Sequence, residues 1–185
     1  MSTQVFTIAN QLTMLRLLLI PAFVILMIYG EFGWALATFI VAGLTDALDG
    51  LAARMAGQKS DLGAWLDPAA DKLLLLCTFV VLTLPNIGLV NRLPLWLTIL
   101  VISRDVGIVL TVAIVSLAVG PRTFPPSPLG KAATAIFIVA CVVVMYFNYL
   151  GRTSVFVDAA IWISLVITLA SAADYVWRMA RIINK

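Results

Sequence analysis

Long apolar runs alternate with short polar breaks along the whole chain. The first run covers roughly Ile8 to Tyr29 and stops at Gly30-Glu31-Phe32-Gly33; the second starts near Trp34 and passes directly into an acidic stretch that ends around Met55. A polar loop, Ala56 to Asp61, comes next. The third run is expected to start near Asp67-Pro68, because proline suits the first turn of a helix, and Pro85-Asn86 closes it after Leu84. Pro94 to Val119 form the fourth run, broken only by Ser103-Arg104-Asp105. The segment from 120 to 130, GPRTFPPSPLG, is dense in proline and glycine and reads as the linker. A fifth run, about Lys131 to Leu150, and a sixth, about Phe156 to Val176, flank Gly151-Arg152-Thr153-Ser154, and the tail WRMARIINK is basic.

Each run approaches the ~20 apolar residues that a helix needs to cross a bilayer, and each is far longer than the ~10-residue alternating strands of a membrane barrel. The prediction is an all-α, polytopic integral membrane protein with six transmembrane helices, forming one domain over 1–185. Composition agrees: of 185 residues, 63% are hydrophobic and 11% charged, and the mean hydropathy is +1.09. That leaves too little polar surface to cover a water-facing globule. Asn10 and Arg16 inside the first run, and no small-residue cleavage site before Gly30, argue for a retained span over a signal peptide.

Charge gives the expected orientation. With six spans, Arg54, Lys59, Arg122, Lys131, Arg178, Arg181 and Lys185 fall on one side and only Arg92 and Arg152 on the other. By the Lys/Arg bias, both termini and the acidic loop are cytoplasmic. Together with the lack of an organelle-targeting segment, this points to a bacterial inner membrane. The net charge of +3 reflects loop residues, and no basic cluster with interleaved aromatics suggests nucleic acid. Histidine is absent and both cysteines, Cys77 and Cys141, sit inside apolar runs, so neither a disulfide framework nor a His/Cys metal site is indicated.

The candidate chemistry lies between Thr45 and Lys72, where Asp46, Asp49, Asp61, Asp67 and Asp71 crowd between two membrane-compatible segments. On a helix, Asp46, Asp49, Gly50, Ala53 and Gly57 stack along one face; on the next, Gly63, Asp67 and Asp71 do the same. Bringing the faces together would gather four carboxylates beside an approachable backbone. At ~2.5–3.5 kcal/mol per carboxylate at mid-bilayer, four would cost on the order of 10 kcal/mol uncompensated. Bound cations are the natural remedy, and an all-oxygen donor set selects hard divalent ions: Mg²⁺, Mn²⁺ or Ca²⁺. A pair of such ions fits phosphoryl chemistry, with Arg54 offering a fork of donors to a phosphate. Structural ion pairs with Arg54 and Lys72, or an ion-coupled membrane transporter, are the other accounts of intramembrane aspartates; four aspartates against two nearby cations leave too much unbalanced charge for pairing, and a transporter gives no account of the Gly50, Ala53, Arg54 and Gly63 spacing.

The pattern Asp46-x-x-Asp49-Gly50-x-x-Ala53-Arg54, eight residues, Gly63-x-x-x-Asp67-x-x-x-Asp71 resembles the complete signature of the CDP-alcohol phosphatidyltransferases. The resemblance implies that Asp46, Asp49 and Asp67 hold two metal ions, Mg²⁺ or Mn²⁺, with Asp71 also near them. It implies that Asp71 is the general base toward the acceptor hydroxyl, that Gly50, Ala53, Arg54 and Gly63 cradle the CDP moiety of CDP-diacylglycerol, and that CMP leaves. It also implies a homodimer and a cytoplasmic active site.

Further elements bear on the acceptor. Asn10-Gln11-Leu12-Thr13-x-x-Arg16 is similar to the N-L-L-T-x-x-R of phosphatidylglycerophosphate synthases and cardiolipin synthases, and Asn10 and Thr13, three apart, are candidate nucleotide contacts. Leu66-Asp67-Pro68-x-Ala70-Asp71-Lys72-Leu73 also resembles both groups, as do Ile102-Ser103-Arg104-Asp105 and Leu129-Gly130-Lys131; Arg104 and Lys131 are cations suited to the phosphate of an anionic acceptor. Ser171-Ala172-Ala173-Asp174-Tyr175 resembles the S-G-x-D-Y of phosphatidylglycerophosphate synthases and favours glycerol 3-phosphate, whereas Asp105 is at home in the cardiolipin-synthase type, whose acceptor is phosphatidylglycerol. The expected activity is therefore phosphatidyl transfer in phospholipid biosynthesis, with glycerol 3-phosphate preferred.

Overall fold

The structure is a computed structural model that describes the backbone at 8–56, 61–119 and 127–183; side chains at 8–10, 12, 46–56, 61–69, 71, 115–116, 118–119 and 182–183 lie outside the described set. The described chain is all-helical: α1 (Ile8–Ile28), α2 (Phe32–Ala56), α3 (Asp61–Thr83), α4 (Leu95–Val119), α5 (Pro128–Tyr149) and α6 (Val155–Ile183). Among the described residues, three helical stretches are long and apolar enough to cross a membrane: Leu95–Ile114, Pro128–Tyr149 and Val155–Arg181. Shorter apolar stretches occupy Thr13–Ile28, Phe32–Thr45 and Lys72–Thr83.

Three boundaries differ from expectation. α3 starts at Asp61, so Pro68 is an interior residue and not part of the first turn, and Asp61 is helical rather than in a loop. α5 starts at Pro128, capped by Ser127, whose hydroxyl accepts from the Gly130 amide. α6 continues through the basic tail to Ile183. The cause is common to all three: hydropathy marks where a segment stops being apolar, whereas a helix ends only where its backbone hydrogen bonds are capped or broken.

Two tight hairpins set the packing. α1 and α2 are joined through Gly30 (φ 78°), and the Glu31 amide donates back to the Leu26 carbonyl. α5 and α6 are joined the same way through Gly151 (φ 63°), with the Arg152 amide donating to Phe147. These left-handed glycines satisfy the last carbonyls of α1 and α5 while the chain reverses. The α1–α2 pair packs on α3 and, through α2, on α5; α4 packs on α3 and α6. The core is apolar, with Phe23 against Phe39 (ring centroids 6.0 Å apart) and Phe79 edge-on to Phe137 (5.5 Å). Leu18, Ile25, Ile99, Val109, Val139 and Val166 are exposed on the outer faces, the surface a lipid-facing bundle requires.

The end of the bundle remote from the acidic stretch is closed by polar bonds. Asn91 and Asn148, both buried, bond reciprocally: the Asn91 amide donates to Asn148 Oδ1 (2.9 Å) and Asn148 Nδ2 donates to the Asn91 carbonyl (2.8 Å). Asn91 Nδ2 reaches the Arg152 carbonyl at 2.7 Å. The α3–α4 connection is thereby fastened to the α5–α6 turn.

Candidate active site

The signature is divided between two helices. Asp46, Asp49, Gly50, Ala53 and Arg54 fall in the last turns of α2, and Gly63, Asp67 and Asp71 in the first half of α3; these two helices touch. Their side chains lie outside the described residues. The helical register is informative by itself. Ala35, Phe39, Ala42 and Thr45 are the buried positions among the described residues of α2. At 100° per residue, positions 46, 49 and 53 lie within about 40° of the direction set by Ala42. In α3, Ala70, Leu74 and Thr78 are buried, and positions 63 and 67 fall within about 20° of Leu74, with 71 about 60° away. Positions 46, 49 and 53 therefore continue the inward stripe of α2 and positions 63 and 67 that of α3, with 71 at its edge, whereas positions 50 and 54 lie about 80° and 120° from the α2 stripe.

On α1, Asn10 lies outside the described side chains, whereas Thr13 and Arg16, one turn on, are both fully buried at 0% exposure. Arg16 is the largest fully buried side chain among the described residues. The candidate site residues taken from the sequence do not include it, although the apolar residues around it and its three-residue spacing from Thr13 signal an inward position.

Arg104 projects from the middle of α4 with only 9% of its side chain exposed. Its Nη1 donates to Asp105 Oδ1 at 2.6 Å, and its Nε donates to the Ser171 hydroxyl of α6 at 3.0 Å. Ser171 in turn donates to the Thr168 carbonyl (3.0 Å), which fixes the direction of both bonds. The remaining nitrogen, Nη2, faces the start of α5: a β-carbon added to Gly130 would sit 3.5 Å from it and 3.1 Å from Ser127 Oγ. Glycine at 130 thus permits a close approach of the guanidinium to the α5 terminus. Lys131 is the next residue; it is exposed and makes no ion pair among the described residues. So Arg104 is both paired with Asp105 and adjacent to the Lys131 segment, and Ser171 is a partner that no role assigned from sequence included.

A further contact links these cations to α3. Lys72, the residue after Asp71, brings Nζ to 4.0 Å from Asp105 Oδ2. Lys72 and Asp105 themselves, with Leu76, Phe79, Val101 and Val109, line a largely apolar cavity of about 300 Å³ between α3 and α4. Higher on α6, the Tyr175 hydroxyl donates to the Ile108 carbonyl at 3.2 Å, a second tie between α4 and α6.

Among known proteins, a family described as CDP-alcohol phosphatidyltransferase matches residues 6–170. The chain belongs to that family. It is 42% identical over 140 residues to the CMP-forming cardiolipin synthase of Streptomyces coelicolor, covering 71% of this chain and 61% of the relative. It is 32% identical over 189 residues to the probable phosphatidylglycerophosphate synthase of Mycobacterium tuberculosis, covering 96% and 84%. With the CMP-forming cardiolipin synthase of Homo sapiens it shares 35% over 189 residues, 92% of this chain and 60% of that protein. The chain thus spans about three fifths of the length of the two cardiolipin synthases.

The family match covers the whole signature, Asn10, Thr13, Arg104 and Lys131, and stops one residue short of Ser171. Members of this family use a divalent metal. Among the described residues, no group of three His, Cys, Asp or Glu side chains comes together. The donor chemistry of the chain nevertheless fits a hard divalent cation: it has no histidine, both cysteines are in the apolar bundle, and the inward registers of α2 and α3 carry aspartate.

Proposed function

We propose that the protein is a six-span integral membrane enzyme that transfers the phosphatidyl group of CDP-diacylglycerol to glycerol 3-phosphate, releasing CMP. The observation that carries this is the signature, every position of which is present within the family-matched region, with its four aspartate positions on or near the inward registers of two touching helices. Two Mg²⁺ or Mn²⁺ ions held by Asp46, Asp49, Asp67 and Asp71 would neutralise charge on the phosphates.

The chain's own groups perform the rest. Asp71 accepts the proton of the acceptor hydroxyl; the hydroxyl oxygen bonds to the phosphorus bearing diacylglycerol as the bond from that phosphorus to CMP breaks. Arg54 presents paired donors to the nucleotide phosphates, and Gly50, Ala53 and Gly63 let the CDP moiety approach the backbone, with Asn10 and Thr13 at its edge. Arg104, held by Asp105 and Ser171, and Lys131 beside it receive the acceptor's phosphate. The largely apolar α3–α4 cavity has the character an acyl chain needs.

The site opens to the cytoplasm of a bacterial inner membrane, both termini are cytoplasmic, the chain is one domain, and the enzyme works as a homodimer. The Lys/Arg asymmetry supports the orientation. The exposed aromatics Tyr29, Trp34, Trp96, Tyr149 and Trp162 at the opposite end lie where an interfacial belt would, which supports a membrane-spanning bundle.

A second acceptor, phosphatidylglycerol, which would make the enzyme a cardiolipin synthase, is favoured by the 42% identity to the Streptomyces protein and by Asp105. An acceptor panel decides. Purified protein with Mg²⁺ or Mn²⁺ should release CMP from CDP-diacylglycerol only when glycerol 3-phosphate is added. Release with phosphatidylglycerol alone would transfer the assignment to cardiolipin synthesis, and substrate flux without CMP would place the protein among transporters.

A further inference from the structure

Arg16 is a cation with no exposed surface in the apolar first helix. A buried guanidinium persists only if an anion and further hydrogen bonds compensate for its lost hydration. The chain has nine acidic residues from which that anion can come. Glu31 and Asp158 lie at the opposite end of the bundle, Asp105 is engaged by Arg104, and Asp174 is engaged by both oxygens with Arg178. What remains is the set between 46 and 71, on α2 and α3, the two helices against which α1 packs.

Depth narrows the choice. Arg16 stands 12 residues before the end of α1 at Ile28, about 18 Å down the helix. Asp71 stands 12 residues before the end of α3 at Thr83, also about 18 Å down. Asp46 is 14 residues into α2 from Phe32, about 21 Å. Asp49 and Asp67 lie at about 24–26 Å, a turn further from that end, and Asp61 further still. Thr13, beside Arg16 and equally buried, supplies a hydroxyl at the same face.

We propose that Arg16 is a positioning residue for the catalytic carboxylates. It is the built-in counter-charge that pairs with Asp46 and Asp71, the two aspartates nearest its own depth, and keeps the acidic cluster assembled and oriented before divalent ions arrive. The proposal relies on the functional reading above only in treating the cluster as a cation site. A fixed guanidinium on one side of the cluster also leaves Asp49 and Asp67, a turn deeper, as the carboxylates most open to incoming metal.

Thermal unfolding of the purified full chain in EDTA and in millimolar MgCl₂ tests this. Arg16→Gln should lower Tm in EDTA on the order of 10 °C, and Mg²⁺ should recover more of that loss than it adds to the native protein; Arg16→Lys should stay near native in both. A Tm loss of equal size with and without Mg²⁺ would mean a packing role only. Should Arg16→Gln fail to fold, the four aspartates carry the test. In EDTA, Asp46→Asn or Asp71→Asn should lower Tm by stranding the cation, whereas Asp49→Asn and Asp67→Asn should raise it by relieving repulsion. A rise in all four overturns the pairing. Since no CMP is measured, failure of the acceptor panel would leave this result standing, and the reverse also holds.

Discussion

Arg104 and Ser171 meet across α4 and α6, with Nε 3.0 Å from the hydroxyl, and the serine's own proton is committed to the Thr168 carbonyl. The bond aims a mostly buried guanidinium at the start of α5. If Arg104 receives the acceptor's phosphate, removing its support should loosen aim more than fold. Ser171→Ala is expected to raise the KM for the anionic acceptor roughly 5- to 10-fold, about 1 kcal/mol, the net worth of one ordinary hydrogen bond, with kcat and the KM for CDP-diacylglycerol little changed. Arg104→Lys, which loses the planar fork, should raise acceptor KM further. Steady-state kinetics varying one substrate at a time separates these effects.

Asp71 is assigned the acceptor's proton. Asp71→Asn should lower turnover by on the order of 10² to 10⁴ while equilibrium binding of CDP-diacylglycerol is largely kept. Asp49→Asn or Asp67→Asn should weaken divalent-ion dependence and CDP-lipid binding together. Full activity in Asp71→Asn would remove the base from the mechanism.

Packing at the far end of the bundle gives a prediction independent of chemistry. Gly33, at the start of α2, lies under the Tyr149 ring, and a β-carbon there would come within 2.8 Å of Cε2. Gly33→Ala should cost up to about 1 kcal/mol, seen as a slightly lower Tm, since the exposed Tyr149 ring must swing aside while alanine adds some helix propensity. Gly33→Ala with Tyr149→Ala should recover most of that loss, and a double variant no better than the single would show that the ring is not the obstacle.

The Asn91–Asn148 exchange should also matter for stability alone. Asn148→Leu would strand the buried amide and carbonyl of Asn91, at about 1–3 kcal/mol per unsatisfied group. The expected result is a lower Tm with unchanged activity per folded molecule, because the pair sits at the end of the bundle away from the signature.

Much of the architecture was legible without coordinates. Six apolar runs became six helices because a backbone in an apolar medium has few other ways to satisfy its own hydrogen bonds. The boundaries at Asp61, Pro128 and Ile183 were not legible, since polarity ends an apolar run without ending a helix. The signature Asp46 to Asp71 was visible because residue spacing along a helix is itself geometry. Ser171 as the partner of Arg104 was not, for the two lie far apart in the chain and nothing in the local pattern of either names the other.

By itself, the sequence determined the class of molecule and the chemistry it can support: an apolar helical chain, an all-oxygen donor set and the spacing that carries family membership. These are properties of composition and local periodicity. Tertiary structure alone decided which distant polar groups share a neighbourhood: Arg104 with Ser171 and the α5 terminus, Lys72 with Asp105, Asn91 with Asn148, and Arg16 sealed from solvent. The reason is that burial and partnership depend on which helix faces pack together, and pairwise helix packing is a property of the assembled bundle that no single helix specifies.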